Sequence, residues 1–175
     1  MKEVNMLTDY LTLPTTKTFY EYGCDCMFVA STQQNIEKLT IMECDGLTIY
    51  NAKNLAKDND KIDVQYVDVG SFGRLGFPKE FNLGLDYYTH IDKLNYIPDV
   101  IMINGRWRVE CALHAFNKAN DDTIILFYDW EKEEYKGIFA AYYLDKVVGK
   151  LARLIKKKDE VIPTDALFFY QFDPR

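Results

Sequence analysis

Five short apolar runs alternate with segments of helical character, and this alternation restricts the fold more than any other feature of the sequence. The runs are rich in β-branched and aromatic residues and cover 17–23, 38–45, 61–70, 99–106 and 122–130. Apolar residues at helical spacing lie between them, at 27–36, 46–58 and 107–119. Such alternation is typical of a parallel sheet with right-handed crossovers and helices on both faces. The sequence therefore predicts an α/β, three-layer, Rossmann-like fold with a mostly parallel sheet.

The remaining segments depart from this rhythm. Residues 71–97 carry several glycines and an amphipathic stretch at 85–94, which predicts a lid or wall beside a pocket. Residues 131–145 are expected to form a helix and residues 146–157 a late strand. The closing residues 163–175 predict a helical turn capped by Thr164.

Length and charge limit the classes of function. The 175 residues suit a single domain that covers 1–175. A net charge of -6 argues against nucleic acid as a partner, because phosphate binding depends on Lys and Arg. No stretch reaches the roughly 18 apolar residues of a membrane span, and the first residues lack the apolar core of a signal peptide. We expect a soluble, cytoplasmic protein with no membrane partner; a homo-oligomer is left open.

The four cysteines do not predict a metal site. Cys24 and Cys26 form a C-x-C pair rather than the C-x-x-C of common zinc sites, and the chain has only two histidines. In a reducing compartment Cys44 and Cys111, which lie in apolar runs, are expected to pack as small hydrophobic residues.

Polar residues follow each predicted strand at its carboxyl end. They are Glu21, Glu43, Asp68, Asn104 and Asp129. Because the carboxyl ends of parallel strands meet at one edge of a sheet, we expect these side chains to gather around one crevice.

The residues around this crevice indicate a nucleoside-bearing ligand. Gly23 allows close approach of the backbone, and Glu43 offers a carboxylate that can accept hydrogen bonds from ribose hydroxyls. Both S-adenosylmethionine and a dinucleotide would fit that description. The absence of G-x-G-x-x-G makes the dinucleotide the weaker of the two.

Six segments, spread over nearly the whole chain, carry a resemblance to a known family. They read FYEYGCDCMFVAS, TIMECDG, VQYVDVGSFGRLGFP, PDVIMINGRWRVECAL, ILFYDWEKEEY and YQFDPR. In this order they resemble small class I S-adenosylmethionine-dependent methyltransferase-like proteins. The most specific part is the glycine-rich loop after the third strand together with G-R-[FW]-R-V-x-C-A.

The resemblance implies a role for the residues that would hold the cofactor. Glu21 and Gly23 would form the floor of the subsite for its methionine end, and Glu43 would bind the ribose hydroxyls. Asp68 would lie near the adenine, and Asn104 is assigned to the same cofactor site.

It also implies a set of residues for the reaction. Arg106 and Arg108 would face the substrate, unless either of them instead pairs with Glu110, Asp129 or a carbonyl, and Asp129 would serve as general base or substrate anchor. Tyr128, Tyr135 or His90 would shape the acceptor pocket. The expected activity is methylation of a hydroxyl on a sugar, a glycan or another polar small molecule.

Two other functions remain open. The family has small residues where this chain has Cys24, Asp25, Cys26 and Met27, and it has Asp and His where this chain has Asn104 and Tyr128. These exchanges would also suit a catalytically silent binding or assembly module that keeps the fold. The other alternative is a transferase that acts on a nucleotide-sugar.

Overall fold

The computed structural model of the protein describes residues 2–73, 76–158, 162, 167 and 169–175, and its centre is one seven-stranded sheet. The strands are β1 Thr18–Tyr22, β2 Lys38–Glu43, β3 Ile62–Tyr66, β4 Val100–Ile103, β5 Ile124–Tyr128, β6 Tyr142–Val148 and β7 Leu151–Lys156. They lie in the order β3-β2-β1-β4-β5-β7-β6. The first five strands are parallel, and β6 and β7 are antiparallel to their neighbours. The α/β, mostly parallel fold predicted from the sequence is confirmed.

Within the ranges that the structure describes, the sheet is accompanied by α-helices. They are α1 Lys2–Leu11, α2 Met27–Ser31, α3 Gly46–Ala56, α4 Leu85–Tyr88 and α5 Arg108–Lys118. No helix within the described residues is both long and apolar enough to cross a membrane.

Alternate residues along each strand point to opposite faces of the sheet and so build two cores. In β4, Val100 and Met102 pack on the side of α1 and α2, whereas Ile101 and Ile103 pack on the side of α5. All four are at most 1% exposed. Burial on both faces explains why this strand reads as a continuous apolar run, and it gives the domain its three layers.

The register of the sheet brings the ends of the central strands level. Tyr22 at the end of β1 pairs with Met42 on one side and Ile103 on the other. The backbone N–H of Gly23 donates to the carbonyl of Met42, and that of Asn104 donates to the carbonyl of Tyr22. Residues that follow β1, β2 and β4 therefore meet at one edge, as the sequence predicts.

The structure corrects the expectations for residues 131–157. The helix predicted over 131–145 is a 3-10 helix at Glu133–Ala140, followed by strand β6. The single strand predicted over 146–157 is a hairpin, because Gly149 adopts a φ of +58° and turns β6 into β7. The aromatic and β-branched residues of β6 favour a strand over a helix. The predicted cap Thr164 lies outside the described residues.

The segment 71–97 divides into two parts. A 3-10 helix at Phe81–Gly84, α4 and a second 3-10 helix at His90–Lys93 pack on the α5 side of the sheet, where Tyr87 and Ile91 are fully buried. The amphipathic stretch is thus part of the core layer. The preceding loop approaches the strand ends, where Phe72 and Gly76 lie beside them, and the Tyr87 hydroxyl of α4 reaches the backbone N–H of Arg106 at 3.4 Å.

The start of α5 is fixed by residues from the end of the sequence. Trp107 precedes the helix in the left-handed region, with a φ of 46°. Its backbone N–H donates to the carbonyl of Pro174 at 3.2 Å, and the N–H of Arg108 donates to the carbonyl of Arg175 at 3.0 Å. The Trp107 indole N–H donates to Gln171 at 3.1 Å. The two bonds from the backbone N–H groups of Trp107 and Arg108 satisfy donors that a helix start leaves without intrahelical partners.

Candidate functional site

A cavity of about 270 Å³ opens at the carboxyl ends of β1, β2 and β4. Residues 23–25, 43–45 and 104–106 form its walls, and Thr48, Phe72 and Gly76 complete it. We call it the strand-end cavity. Its position at the switch between β1 and β4 is where open α/β sheets bind ligands.

The floor of the strand-end cavity is a close contact between two glycines. Gly23 has a φ of +106°, and a Cβ at this position would lie 3.0 Å from the backbone nitrogen of Gly105. A Cβ on Gly105 would collide with the Tyr87 hydroxyl and lie 3.0 Å from the nitrogen of Gly23. Side chains are therefore excluded from the floor, and a ligand can approach the backbone directly.

Glu43 presents a carboxylate at one side of the cavity. Its Oε1 accepts hydrogen bonds from the backbone N–H groups of Cys44 at 2.7 Å and Asp45 at 2.9 Å. In the part of the chain that the structure describes, both bonds go to Oε1, so Oε2 is able to accept from a ligand. Burial raises the pKa of Glu43, and the two backbone donors and the Arg106 charge partly oppose that rise. The predicted position of Glu43 at the crevice is where the structure places it.

Glu21 in β1 does not line the strand-end cavity, and its carboxyl group has a different environment from that of Glu43. It is fully buried, its Oε1 accepts from the backbone N–H of Cys26 at 2.9 Å, and its Oε2 has no partner among the described residues. Burial, helped by the nearby carboxylates of Asp25 and Glu43, raises its pKa to about 8. Glu21 is therefore protonated at neutral pH and can donate a hydrogen bond.

Arg106 lines the strand-end cavity. Its Nε donates to the carbonyl of Gly76 at 2.8 Å, and its guanidinium lies 5.3 Å from the centre of the Phe77 ring. These contacts hold the side chain on the loop after β3. The positive charge of Arg106 opposes the rise in the pKa of Glu43 and adds to the lowering of the pKa of Asp45, which the hydrogen bond from Thr48 mainly causes. The guanidinium therefore lies near the carboxylates of the cavity.

The Arg108 side chain lies outside the strand-end cavity. It is 8% exposed, and it donates to the carbonyls of Gly105 at 3.0 Å and Tyr128 at 3.0 Å. Its Nη1 lies 3.4 Å from Oδ2 of Asp129. These contacts join Arg108 to the ends of β4 and β5, and Arg108 does not line the strand-end cavity.

Asp129 is held by three cations. Besides Arg108, Lys132 lies 2.7 Å and Lys150 3.2 Å from its carboxylate oxygens. Burial alone would raise its pKa, but the hydrogen bonds and charges of the lysines and Arg108 outweigh that effect and lower the pKa. A carboxylate in this state is a weak base, and Asp129 does not belong to the walls of the strand-end cavity.

Three more residues that the sequence predicted for the site lie away from the strand-end cavity. Asp68 is exposed and accepts from the N–H of Gly70 within its own loop at 2.9 Å. Tyr135 is buried against Phe127, and His90 is bound to the Tyr20 hydroxyl at 3.1 Å in the core. None of these three contributes to the cavity walls.

A second cavity, of about 400 Å³, adjoins the first. Glu3, Val4 and Leu7 of helix α1 form one side of it, so we call it the α1 cavity. Asp25 and Asn104 line both cavities, and the Asn104 Nδ2 donates to the Asp25 Oδ2 at 2.7 Å. This hydrogen bond stands between the two spaces. Tyr128, predicted to shape an acceptor pocket, lines the α1 cavity.

The thiols near the site are not activated. Burial raises the pKa of Cys24 and of Cys44 to about 12, and the neighbouring carboxylates add to the rise. Both thiols are thus protonated at neutral pH and are poor nucleophiles. Across the residues described, no three or more His, Cys, Asp or Glu side chains are grouped so that they could hold a metal ion.

Several site residues were not identified from the sequence. Thr48 lies in the first turn of α3, where its backbone N–H donates to the Asp45 side chain at 2.8 Å. An Asp three residues before a helical Thr is a capping pattern that would have placed both at the strand end. Phe72 and Gly76 come from an irregular loop whose course no periodicity predicts.

Comparison with known proteins agrees with this architecture. No protein-family model and no curated protein matches the chain. Among solved structures, a methyltransferase-like protein from Silicibacter pomeroyi superposes with a TM-score of 0.84 at 21% identity, covering 99% of this chain and 95% of that one. The fold is therefore that of the Rossmann-like methyltransferases.

Two more distant structures were solved with ligands. Fibrillarin from Aeropyrum pernix, with natively bound S-adenosyl-L-methionine, gives a TM-score of 0.55 at 13% identity, covering 87% of this chain and 71% of that one. The N-methyltransferase NodS from Bradyrhizobium japonicum WM9, in complex with S-adenosyl-L-homocysteine, gives 0.53 at 13% identity, covering 87% and 85%. At these identities the likeness establishes the fold.

Proposed function

We propose that this protein is an S-adenosylmethionine-dependent methyltransferase that acts on a small acceptor. The observation that carries the proposal is the strand-end cavity itself. In a methyltransferase fold, it joins a glycine floor at Gly23 and Gly105 to an available carboxylate oxygen at Glu43.

Different residues of the strand-end cavity fit different parts of the cofactor. The floor of the cavity admits the methionine end, because no side chain projects from Gly23 or Gly105. Glu43 would accept hydrogen bonds from the two ribose hydroxyls through Oε2. The Phe72 ring lies at the cavity edge and offers an apolar surface for the adenine. When bound, the cofactor supplies an electrophilic methyl group on a positively charged sulfur.

The chain contributes alignment and an electrostatic environment. Asp25 and Glu43 border the space where a positive charge would sit, and Asn104 adds an amide. Methyl transfer is an in-line displacement, so most of the barrier reduction comes from holding the two reactants in line. Asp25 and Asn104 stand where the two cavities meet, and they are the residues positioned to guide an acceptor toward the methyl group.

The hydroxyl acceptor expected from the sequence would need a general base. Asp129 does not suit this role, because three cations engage its carboxylate. Asp25 is the exposed carboxylate at the junction of the cavities, and it would have to take the proton. A sugar, glycan or other polar hydroxyl compound therefore remains a proposed acceptor with Asp25, rather than Asp129, as its base.

The test is calorimetric binding of S-adenosylhomocysteine to the wild type, to Glu43→Gln and to Glu37→Gln. Loss of hydrogen bonds to a charged group costs about 1.5–3 kcal/mol, so Glu43→Gln should weaken binding by roughly 10-fold to 100-fold. Glu37 is an exposed residue that pairs with Lys17 at 3.4 Å away from the cavity, and its variant should bind normally.

A second measurement tests whether the cofactor binds at all. A ligand at 100 times its dissociation constant adds about 2.7 kcal/mol to the free energy of unfolding. The melting temperature should therefore rise with S-adenosylmethionine and with its demethylated product. If neither compound at millimolar concentration changes the melting temperature, the proposal fails and a binding or assembly module becomes the better description.

A further inference from the structure

The residues that line the α1 cavity offer binding groups that the proposed cofactor site does not use. Its volume of about 400 Å³ lies within the range of small-molecule sites. It opens on the α1 side of the sheet, beside the ends of β4 and β5, where Met102 and Tyr128 reach it. The Asp25–Asn104 hydrogen bond is its border with the strand-end cavity.

One wall of the α1 cavity is apolar. Leu7, Met102 and Leu151 are at most 3% exposed, and Val4 at the rim is 48% exposed. Leu7, Met102 and Leu151 line the cavity with small apolar areas, and Val4 presents the larger exposed aliphatic surface at the rim. An occupant would therefore have a hydrocarbon body.

The other wall is made of acceptors and one aromatic ring. Asp25 is exposed and presents its carboxyl oxygens there, and the Asn104 amide keeps its oxygen as an acceptor while its Nδ2 donates to Asp25. Tyr128 adds an aromatic ring, and a cation is attracted to such a ring face. A carboxylate, an amide oxygen and an aromatic ring together recognise a positively charged nitrogen.

The charges around the α1 cavity agree with this preference. Among the described residues that line it, none is basic. Backbone N–H groups of Glu3 and Lys150 lower the pKa of Glu3, which keeps a second negative charge at the rim. The ammonium group of Lys150 is paired with Asp129 at 3.2 Å, lies 6.0 Å from the centre of the Tyr128 ring and also contributes to lowering the pKa of Glu3.

We infer that the α1 cavity binds a small aliphatic or aralkyl amine as its ammonium ion, with the nitrogen at Asp25 and Tyr128 and the hydrocarbon body against Leu7, Met102 and Leu151. As the acceptor site of the enzyme, this inference rests on the proposed function. Methyl transfer needs the neutral amine, so the bound ammonium ion first gives one proton to Asp25 or to water. The nitrogen lone pair then forms the new N–C bond as the bond between the sulfur and the methyl carbon breaks, and the sulfur leaves as a neutral thioether. An ammonium ion gives up that proton more readily than a sugar hydroxyl does, so an amine demands less of Asp25 as a base than a hydroxyl acceptor would.

Three ligands of equal size test the inference. Hexylamine, 1-hexanol and hexanoate differ in charge, and each is titrated at pH 7 while the methyl NMR signals of Leu7, Met102 and Leu151 are followed. Hexylammonium should shift these signals and bind more tightly than 1-hexanol, and hexanoate should bind most weakly. A surface ion pair contributes up to about 1 kcal/mol, which corresponds to a preference of about threefold to fivefold over 1-hexanol.

Two variants assign the contacts. Asp25→Asn should remove the preference for hexylammonium over 1-hexanol, and Asp58→Asn, which changes an exposed acid outside both cavities, should keep it. Val4→Trp should weaken both ligands, because the larger ring fills the rim of the cavity. Val4 is half exposed, so this change does not disturb the core.

The outcomes distinguish this inference from the proposed function. It is overturned if hexanoate binds as well as hexylammonium, or if Asp25→Asn leaves the preference unchanged. Binding of S-adenosylhomocysteine, measured on the same samples, reports on the cofactor site alone. A protein that binds the cofactor product and shows no amine preference contradicts only the inference, whereas an amine preference without cofactor binding contradicts only the proposed function.

Discussion

Arg108 and Asp129 form an ion pair of 3.4 Å in which each side chain is only 9% exposed. The pair joins the first turn of α5 to the end of β5, and Arg108 also donates to the carbonyls of Gly105 and Tyr128. Removing one partner from a buried pair leaves the other charge without its compensation.

The first prediction follows from this pair. Arg108→Met should lower the free energy of unfolding by about 2–3 kcal/mol, below the usual 3–5 for a buried pair because Lys132 and Lys150 still neutralise Asp129. Urea denaturation measures the difference. Arg153→Met is the matched control, since Arg153 and Asp145 are about one-third exposed and their pair should contribute less than about 1 kcal/mol. Equal losses in the two variants would show that burial does not distinguish these pairs.

The second prediction concerns the protonated state of Glu21. Its pKa is about 8 in the folded protein and 4.5 for an ordinary glutamate, so the folded state binds the extra proton between these values. Stability that is fully present below pH 4.5 is then lost as pH rises to 8, by at most about 1.4 kcal/mol per pH unit. Glu21→Gln should flatten this decline, and Glu37→Gln should not. A variant with the wild-type slope over pH 5–8 would contradict the assignment.

The third prediction concerns His114 on α5. Its Nδ1 lies 2.5 Å from Asp92, its Nε2 lies 3.6 Å from Glu110, and its ring stacks on Tyr88 at 5.5 Å. Burial lowers the pKa of His114, but the bonds to the two carboxylates outweigh burial and raise it to about 9. The imidazolium therefore stabilises the fold fully below pH 6.5 and loses that effect as pH rises through 9.

Unfolding free energies at pH 6.5 to 9.5 measure this effect. His114→Gln should remove much of the decline above pH 7. His90→Gln is the control, because burial lowers the pKa of His90 and keeps it neutral in this range. A decline that persists unchanged in His114→Gln would assign it to other groups.

The fourth prediction concerns the floor of the strand-end cavity. Gly23→Ala combines a left-handed φ of +106° with a Cβ 3.0 Å from the Gly105 nitrogen, so it should cost about 1–3 kcal/mol of stability. It should also weaken S-adenosylhomocysteine binding, since the floor must move. Gly46→Ala has open space around its Cβ and should change stability by less than about 1 kcal/mol. Wild-type stability in Gly23→Ala would show that the backbone adapts without cost.

The sequence predicts the parallel part of the sheet well because the central strands β1, β2, β4 and β5 are buried on both faces. Such strands read as compact apolar runs, and their ends are marked by the first polar residue or glycine. Glu43, Gly23 and Asn104 reach the strand-end cavity for this reason, and Glu21 lies directly beneath it. These positions depend on strand register alone, which the runs determine.

The prediction fails where long-range partners determine a side chain. Asp129 follows its strand as expected, but its left-handed φ of 59° and the ammonium group of Lys150, from the hairpin that the sequence did not predict, hold it away from the strand-end cavity. Arg108 likewise depends on Asp129. Asp68 follows β3, an edge strand, so its neighbour on one side is solvent and its bond is to its own loop.

Helix α1 is the largest omission. Val4, Leu7 and Leu11 recur at helical spacing, and Leu7 and Leu11 are buried beneath the helix. That periodicity would have predicted the helix. Because the helix was not predicted, the wall that α1 gives to the α1 cavity was not predicted either. Residues of α1 and β4 are far apart in the sequence and come together in the folded protein.

The carbonyls of Pro174 and Arg175 at the start of α5 have a consequence for the strand-end cavity. Arg106 lies between the hydrogen bonds of these carbonyls and β4, so the backbone next to Arg106 is held by residues almost seventy places later in the chain, while the carbonyl of Gly76 holds its guanidinium. Two segments that are far apart in the sequence therefore share control over the arginine that lines the strand-end cavity.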